Sequence, residues 1–211
     1  MRKMPSNRKE RTQYSVLPSG DNQMNDPQTK QELITKLRHV QERLTADVQA
    51  MSAAQFSTGT PEAWSAADYL KHLILSVKPA AKGLRLPAER LKSMFGQVER
   101  PAYSYSQVVA LYQKRLDEGI RAEDYDKVVP VSYRFPEGMT DEQQHLIEAW
   151  NESNTKFIEA LEQWTDEELD SLQLPHPAVG LLSLREMGFF TLHHNALHWQ
   201  DIQHAGARAE R

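Results

Sequence analysis

The residues of this chain with the clearest chemical potential are His194 and His198, one helical turn apart. They lie in the stretch Ser183 to His204, SLREMGFFTLHHNALHWQDIQH. Ser183 with Glu186 three residues later is a capping-box signature of a helix start, and no Gly or Pro follows Gly188 until Gly206. Turned at about 100° per residue, the stretch gathers Leu184, Met187, Phe190, Leu197 and Ile202 on one side. His194 and His198 fall in the middle of that side, with Thr191 and Asp201 beside them. Two imidazoles aimed at a core are costly unless their ring nitrogens are satisfied. A shared metal ion satisfies them, and histidines at i and i+4 on one helix face are well placed to share one. Core histidines bonded to carbonyls or to each other are the plain alternative, and the pair alone does not decide.

Other elements must bring partners to this helix. Asp26-Pro27 offers one helix start and Thr29 with Glu32 a second. Leu33, Leu37, Val40, Leu44, Val48 and Met51 then recur at helical spacing, so a first helix is expected to about Met51, broken by Ser57–Pro61, STGTP. Ser65 and Asp68 cap a second helix, with Ala66, Tyr69, Leu70, Leu73, Ile74 and Val77 on its apolar face and Trp64 outside its start. His72 lies at the edge of that stripe, where spacing alone reads it as a boundary or surface residue. Pro79 is expected to end or kink the helix.

From about Gly83 to Met139 the pattern weakens. Ala88–Phe95 and Ser106–Leu116 read as short helices, and Val129, Val131, Tyr133 and Phe135 alternate as in a short extended segment. So long a connection usually covers something or shapes a pocket mouth. Thr140 with Gln143 is the expected cap of a third long helix, carrying Leu146, Ile147, Trp150, Phe157, Ile158, Leu161 and Trp164. Asn154 sits on its apolar face, either lining a polar pocket or bonded to a neighbouring helix. Thr165 with Glu168 starts a short helical turn, and Leu174–Gly180, LPHPAVG, is expected as a loop with His176 exposed. Four long capped helices without a convincing set of strands predict an all-α domain, most simply a four-helix bundle whose sites are built from facing helices.

Composition narrows the function. The chain has 211 residues, 39% hydrophobic and 26% charged, enough for one domain with a sizeable core. Its net charge of -4 argues against nucleic-acid and anionic-membrane partners. With no cysteine, disulfides, thiolate nucleophiles and Cys-ligated zinc are excluded, which suits a cytoplasmic setting. No apolar run approaches transmembrane length. Residues 1–25 are polar and read as a mobile tail. Their cluster of Arg2, Lys3, Arg8, Lys9 and Arg11 lacks the apolar stretch of a signal peptide. A single domain is expected over 26–211. P-loop, GxGxxG, GxSxG and HExxH motifs are all absent, and Asn195 stands where a zincin would place Glu.

Three pieces, in order and spacing, resemble the DinB-like superfamily, the YfiT-type metal-dependent hydrolases. The first is Trp64-Ser65 followed by His72-Leu73. The second is Pro177-Ala-Val-Gly180 followed by Leu182-Ser-Leu184-Arg-Glu186, and the third is His194-x-x-x-His198 with Ile202. The resemblance covers about Asp26 to Gly206 apart from the long connection. It implies a four-helix bundle with a partly helical connection between helices two and three. One histidine of helix two and two of helix four would hold a divalent metal, zinc or nickel. It thereby nominates His72, His194 and His198; Tyr69, Asn154 and Thr191, by their places on the helix faces, are expected to line the pocket.

Three histidines with an open position is the pattern of a catalytic zinc site. Many members have a Gln where this chain has Asp201, its own Gln being Gln200. Asp201 orients a ligand ring from outside the coordination set, joins it as a fourth ligand, or forms a plain salt bridge to another helix. The resemblance implies an enzyme acting on a small-molecule substrate, with the metal activating water or a thiol cofactor, as hydrolase or thiol S-transferase. A homodimer is the expected assembly. The alternatives are a non-catalytic bundle holding a metal or small ligand in a stress response, and an empty site with structural histidines. No catalytic general base is legible.

Overall fold

A computed structural model describes residues 26–60 and 63–209; the polar tail, and Pro61 of the expected break, lie outside the described residues. Four long helices carry the architecture: α1 (Lys30–Ala50), α3 (Ala66–Leu84), α6 (Glu142–Glu162) and α8 (Leu184–Arg208). Between them lie α2 (Ala53–Ser57), α4 (Ala88–Phe95), α5 (Tyr105–Asp117) and α7 (Asp166–Ser171), and a hairpin of β1 (Gln173–His176) and β2 (Gly180–Ser183). α1 and α3 each pack on both α6 and α8, which closes the four long helices around one core. No helix among the described residues is long and apolar enough to cross a membrane.

Local chemistry explains most boundaries. Thr29, Ser65, Thr165 and Ser183 each accept from the backbone N–H three residues on, and the acidic residue there reaches back. Thr29, not Asp26-Pro27, is thus the start of α1. α6 departs from the expected Thr140–Gln143 box: Asp141 caps it by accepting from the Gln144 N–H at 2.9 Å. Gln143 is used elsewhere, donating to the carbonyls of Val48 and Met51 at 2.6 and 3.1 Å and tying α6 to the end of α1. Trp164 lies past the end of α6, and its indole donates to the Leu84 carbonyl at 3.0 Å.

Four other expectations are corrected. α3 runs through Pro79 to Leu84, because Pro79 is exposed while Val77, Ala81 and Leu84 are buried. Their burial outweighs the one backbone bond that proline removes. A five-residue helix, α2, precedes the STGTP break, capped by Ser52. Val129–Phe135 is not continuously extended; Val129 and Tyr133 are, but Pro130 opens a 3-10 turn over Pro130–Ser132 between them. LPHPAVG is not a loop throughout but closes an antiparallel hairpin in which Leu174 faces Leu182, both buried, and Gly180 supplies a φ of 84°. Strands of four residues are too short for an alternation to show.

α8 is more central than its apolar stripe suggested. Every residue from Leu184 to Ala196 is buried, while Leu197, expected on the core side, is half-buried. Even Arg185 and Glu186 are inside. Arg185 pairs with Asp166 and Asp170 on α7, and Glu186 takes two hydrogen bonds from Arg100.

Candidate metal centre

α3 and α8 bring His72, His194 and His198 to one point. The ring centres of His72 and His194 are 5.1 Å apart, of His72 and His198 4.9 Å, and of His194 and His198 4.6 Å. One potential ligand atom from each lies within 4.8 Å of the other two. All three rings are buried. The i, i+4 spacing on α8 aims two rings the same way. The α3–α8 packing turns the edge of the α3 stripe toward them, and His72 sits on that edge.

The outer nitrogens set the inner ones. His72 Nδ1 donates to the Val128 carbonyl at 2.8 Å, and His198 Nδ1 donates to Asp201 Oδ2 at 2.9 Å. A neutral ring that donates at Nδ1 carries its lone pair at Nε2. Nε2 of His72 stands 3.1 Å from Nε2 of His194. A tetrahedral ion with nitrogen ligands at about 2.0–2.1 Å separates them by about 3.4 Å, close to the spacing found. Donor type, count and spacing fit a divalent ion, and the tautomer does so on His72 and His198; without an ion, His194 Nε2 donates to His72 Nε2 across the same 3.1 Å.

The surroundings keep His72 and His194 neutral. Trp64 lies 5.4 Å from His72, Tyr69 5.5 Å from His198, and Phe190 stacks on His194 at 5.4 Å and 21°. Burial in this aromatic wall, with His198 close by, pulls the pKa of His72 down to about 3. Burial, again reinforced by His198, holds His194 well below the ordinary histidine range. Neutral imidazole is the form that ligates a metal.

The remaining candidates fall into place unevenly. Asp201 stands outside the three rings, bonded to His198. Tyr69 backs His198, and Thr191 is buried on α8 one turn before His194. Asn154 joins helices, donating to the Trp150 carbonyl at 2.9 Å and accepting from Asn195 at 3.0 Å. His176, expected to be exposed, is half-buried with its ring centre 4.0 Å from Phe190, and burial lowers its pKa to about 4. His193 is buried beside Tyr105 and Tyr112 of α5, and burial followed by the nearby His198 lowers it to about 4. His193 and Val128 were not singled out in the sequence. His193 lies off the apolar stripe, and Val128 acts through its backbone, which carries no residue signature.

The profile of the DinB superfamily matches residues 57–202, a span that contains His72, His194, His198 and Asp201. The chain belongs to the DinB superfamily. Neither a curated protein nor a solved structure matches it. Membership and the convergence of three histidines together mark this DinB-superfamily site as fitting a metal ion.

Proposed function

We propose that this DinB-superfamily protein is a divalent-metal-dependent enzyme, a hydrolase or a thiol S-transferase, with His72, His194 and His198 as ligands and zinc or nickel as the ion. The observation that carries the reading is the pair of outer hydrogen bonds, Val128 to His72 and Asp201 to His198. Structural histidines need partners, but these partners leave a lone pair pointing inward on two of three converging rings. Three neutral ligands fill one side of a tetrahedral site and leave room for a reactant. A divalent ion held there by His72, His194 and His198 would supply Lewis acidity, able to make a water or a thiol more acidic.

The chain's own residues supply the rest. The three imidazoles hold position without adding negative charge. Asp201 holds the Nδ1 proton of His198 and raises the basicity of that ring. Trp64, Tyr69 and Phe190 exclude water and lower the local dielectric, which strengthens every charge interaction inside.

One observation favours a second reading, a bundle that holds a metal or small ligand without turnover. The rings are only 3%, 5% and 7% exposed, so the closed form offers a substrate little access. Metal analysis of the purified protein and of His194→Ala tests the site: about one ion per chain is expected in the first and none in the second, with helical content retained. Panels of esters, amides and thiol adducts then separate the two readings. Turnover lost in His194→Ala supports the enzyme, and its absence across the panels with metal bound supports the binding bundle.

A further inference from the structure

The connection between α5 and α6 reaches the site at His72. Residues 118–141 carry two 3-10 turns, Ala122–Asp124 and Pro130–Ser132, and the Val128 carbonyl that accepts from His72. Within this span only Tyr133 is buried. Its hydroxyl pairs with His145 Nε2 of α6 at 3.0 Å, and its ring lies under the Lys78 amine at 5.8 Å. A second tie runs from the Tyr125 hydroxyl to the Pro177 carbonyl in the hairpin turn, at 3.2 Å. Val131 is 80% exposed. Both carboxylate oxygens of Glu123 are shut from solvent without a hydrogen-bond partner, which weighs against the closed arrangement.

Glycines stand near both ends. Gly119 has φ 98° and Gly138 φ 75°, and a Cβ placed on either would meet nothing within 4 Å. Packing therefore does not ask for glycine there; the backbone conformation does. Such positions absorb large dihedral changes readily, as hinges must. A segment with one buried anchor, a few hydrogen-bonded ties and a glycine near each end belongs to the low-stability part of a fold.

We propose that residues 118–141 form a gate over the metal centre, and that its closure and ion binding are coupled through the Val128 carbonyl. The proposal rests on the metal-dependent reading above and adds its regulation. With the gate closed, the carbonyl holds the proton of His72 at Nδ1 and turns Nε2 inward. With the gate open, His72 loses the acceptor that fixes its tautomer and orientation. Removing such an outer partner weakens metal binding about ten- to a hundredfold. Coupling is reciprocal, so the ion shifts the gate toward closure by the same factor. A substrate too large to pass a closed gate then enters only when it opens.

Hydrogen exchange on the full chain, with and without one equivalent of zinc, reads the coupling directly. The amides of Tyr125, Val128, Ser132 and Tyr133 donate in turns local to the segment, so their exchange reports how firmly its ties to the hairpin and to α6 hold those turns. The expected result is slowing of about ten- to a hundredfold on zinc binding in peptides spanning these residues. Peptides from α4 serve as the unaffected reference. Tyr133→Phe removes the hydroxyl tie and should speed gate exchange in the zinc-free protein by about two- to tenfold, with zinc stoichiometry still at one. Stoichiometric zinc binding with gate exchange unchanged would overturn the coupling and leave the metal site standing. Failure of zinc, nickel and manganese alike to bind would overturn both.

Discussion

The four histidines whose pKa values burial lowers should make the metal-free protein sensitive to mild acid. In the folded state His72 titrates at about 3 and His176 and His193 at about 4, while His194 lies well below the ordinary value of 6.5. As pH falls below 6.5 the unfolded chain takes up protons that the folded chain refuses. Stability is therefore complete above that value and is lost as pH falls toward the folded pKa values. Each ring contributes a slope approaching about 1.36 kcal/mol per pH unit. Integrated from pH 7 to pH 5, the loss is about 2 kcal/mol for each of His72, His176 and His193, about 5–6 kcal/mol together, and His194 adds to it in the same direction. Domains of ordinary stability hold only about 5–15 kcal/mol, so the effect is decisive. Carboxylates act in a different window. Burial opposes ionisation of Glu186, but Arg100 and the N–H groups of Tyr103 and Ser183 outweigh it and lower its pKa, so its contribution is lost only below 4.5. The assay is urea unfolding followed by circular dichroism at pH 7 and pH 5, with a chelator present. His176→Phe should reduce the loss by about 2 kcal/mol, since one titrating ring is removed. A change below about 2 kcal/mol between the two pH values would show that the rings are hydrated or charged in the folded state, and would refute the reasoning.

Asp201→Asn should weaken zinc binding by about tenfold and Asp201→Ala by up to about a hundredfold, measured by competition with a chromophoric chelator. The amide can still accept from His198 but lacks the charge, whereas Ala leaves the ring without its acceptor. Glu186→Gln should destabilise the fold by about 3–5 kcal/mol in thermal or urea unfolding, because the fully buried carboxylate answers Arg100 and the Tyr103 and Ser183 amides together. Phe190→Ala should cost about 3–5 kcal/mol by the same measurement, since its buried ring packs on His176, His194 and Tyr112.

The helices were legible because capping and periodicity are local. Ser65 with Asp68 and Ser183 with Glu186 satisfy backbone donors within three residues, so nothing distant need be known. What escaped was set by partners far along the chain. Gln143 left its expected box for carbonyls at the end of α1. Pro79 stayed within α3 because the surrounding residues are anchored in the core. His194 and His198 stood out by spacing, whereas His72 needed the family resemblance, since a stripe edge does not say which helix it meets. The carbonyl of Val128 had no signature at all.

α8 bears two ligand histidines and is buried at every position from Leu184 to Ala196. A helix so enclosed leaves natural variation and the protein engineer little freedom. Replacing a side chain near His194 to alter selectivity disturbs contacts with several neighbouring elements at once. Heritable change in what this scaffold accepts should therefore accumulate in residues 118–141 and in the hairpin turn. Those segments can be lengthened, shortened or recoded while the ligand-bearing helix stays as it is.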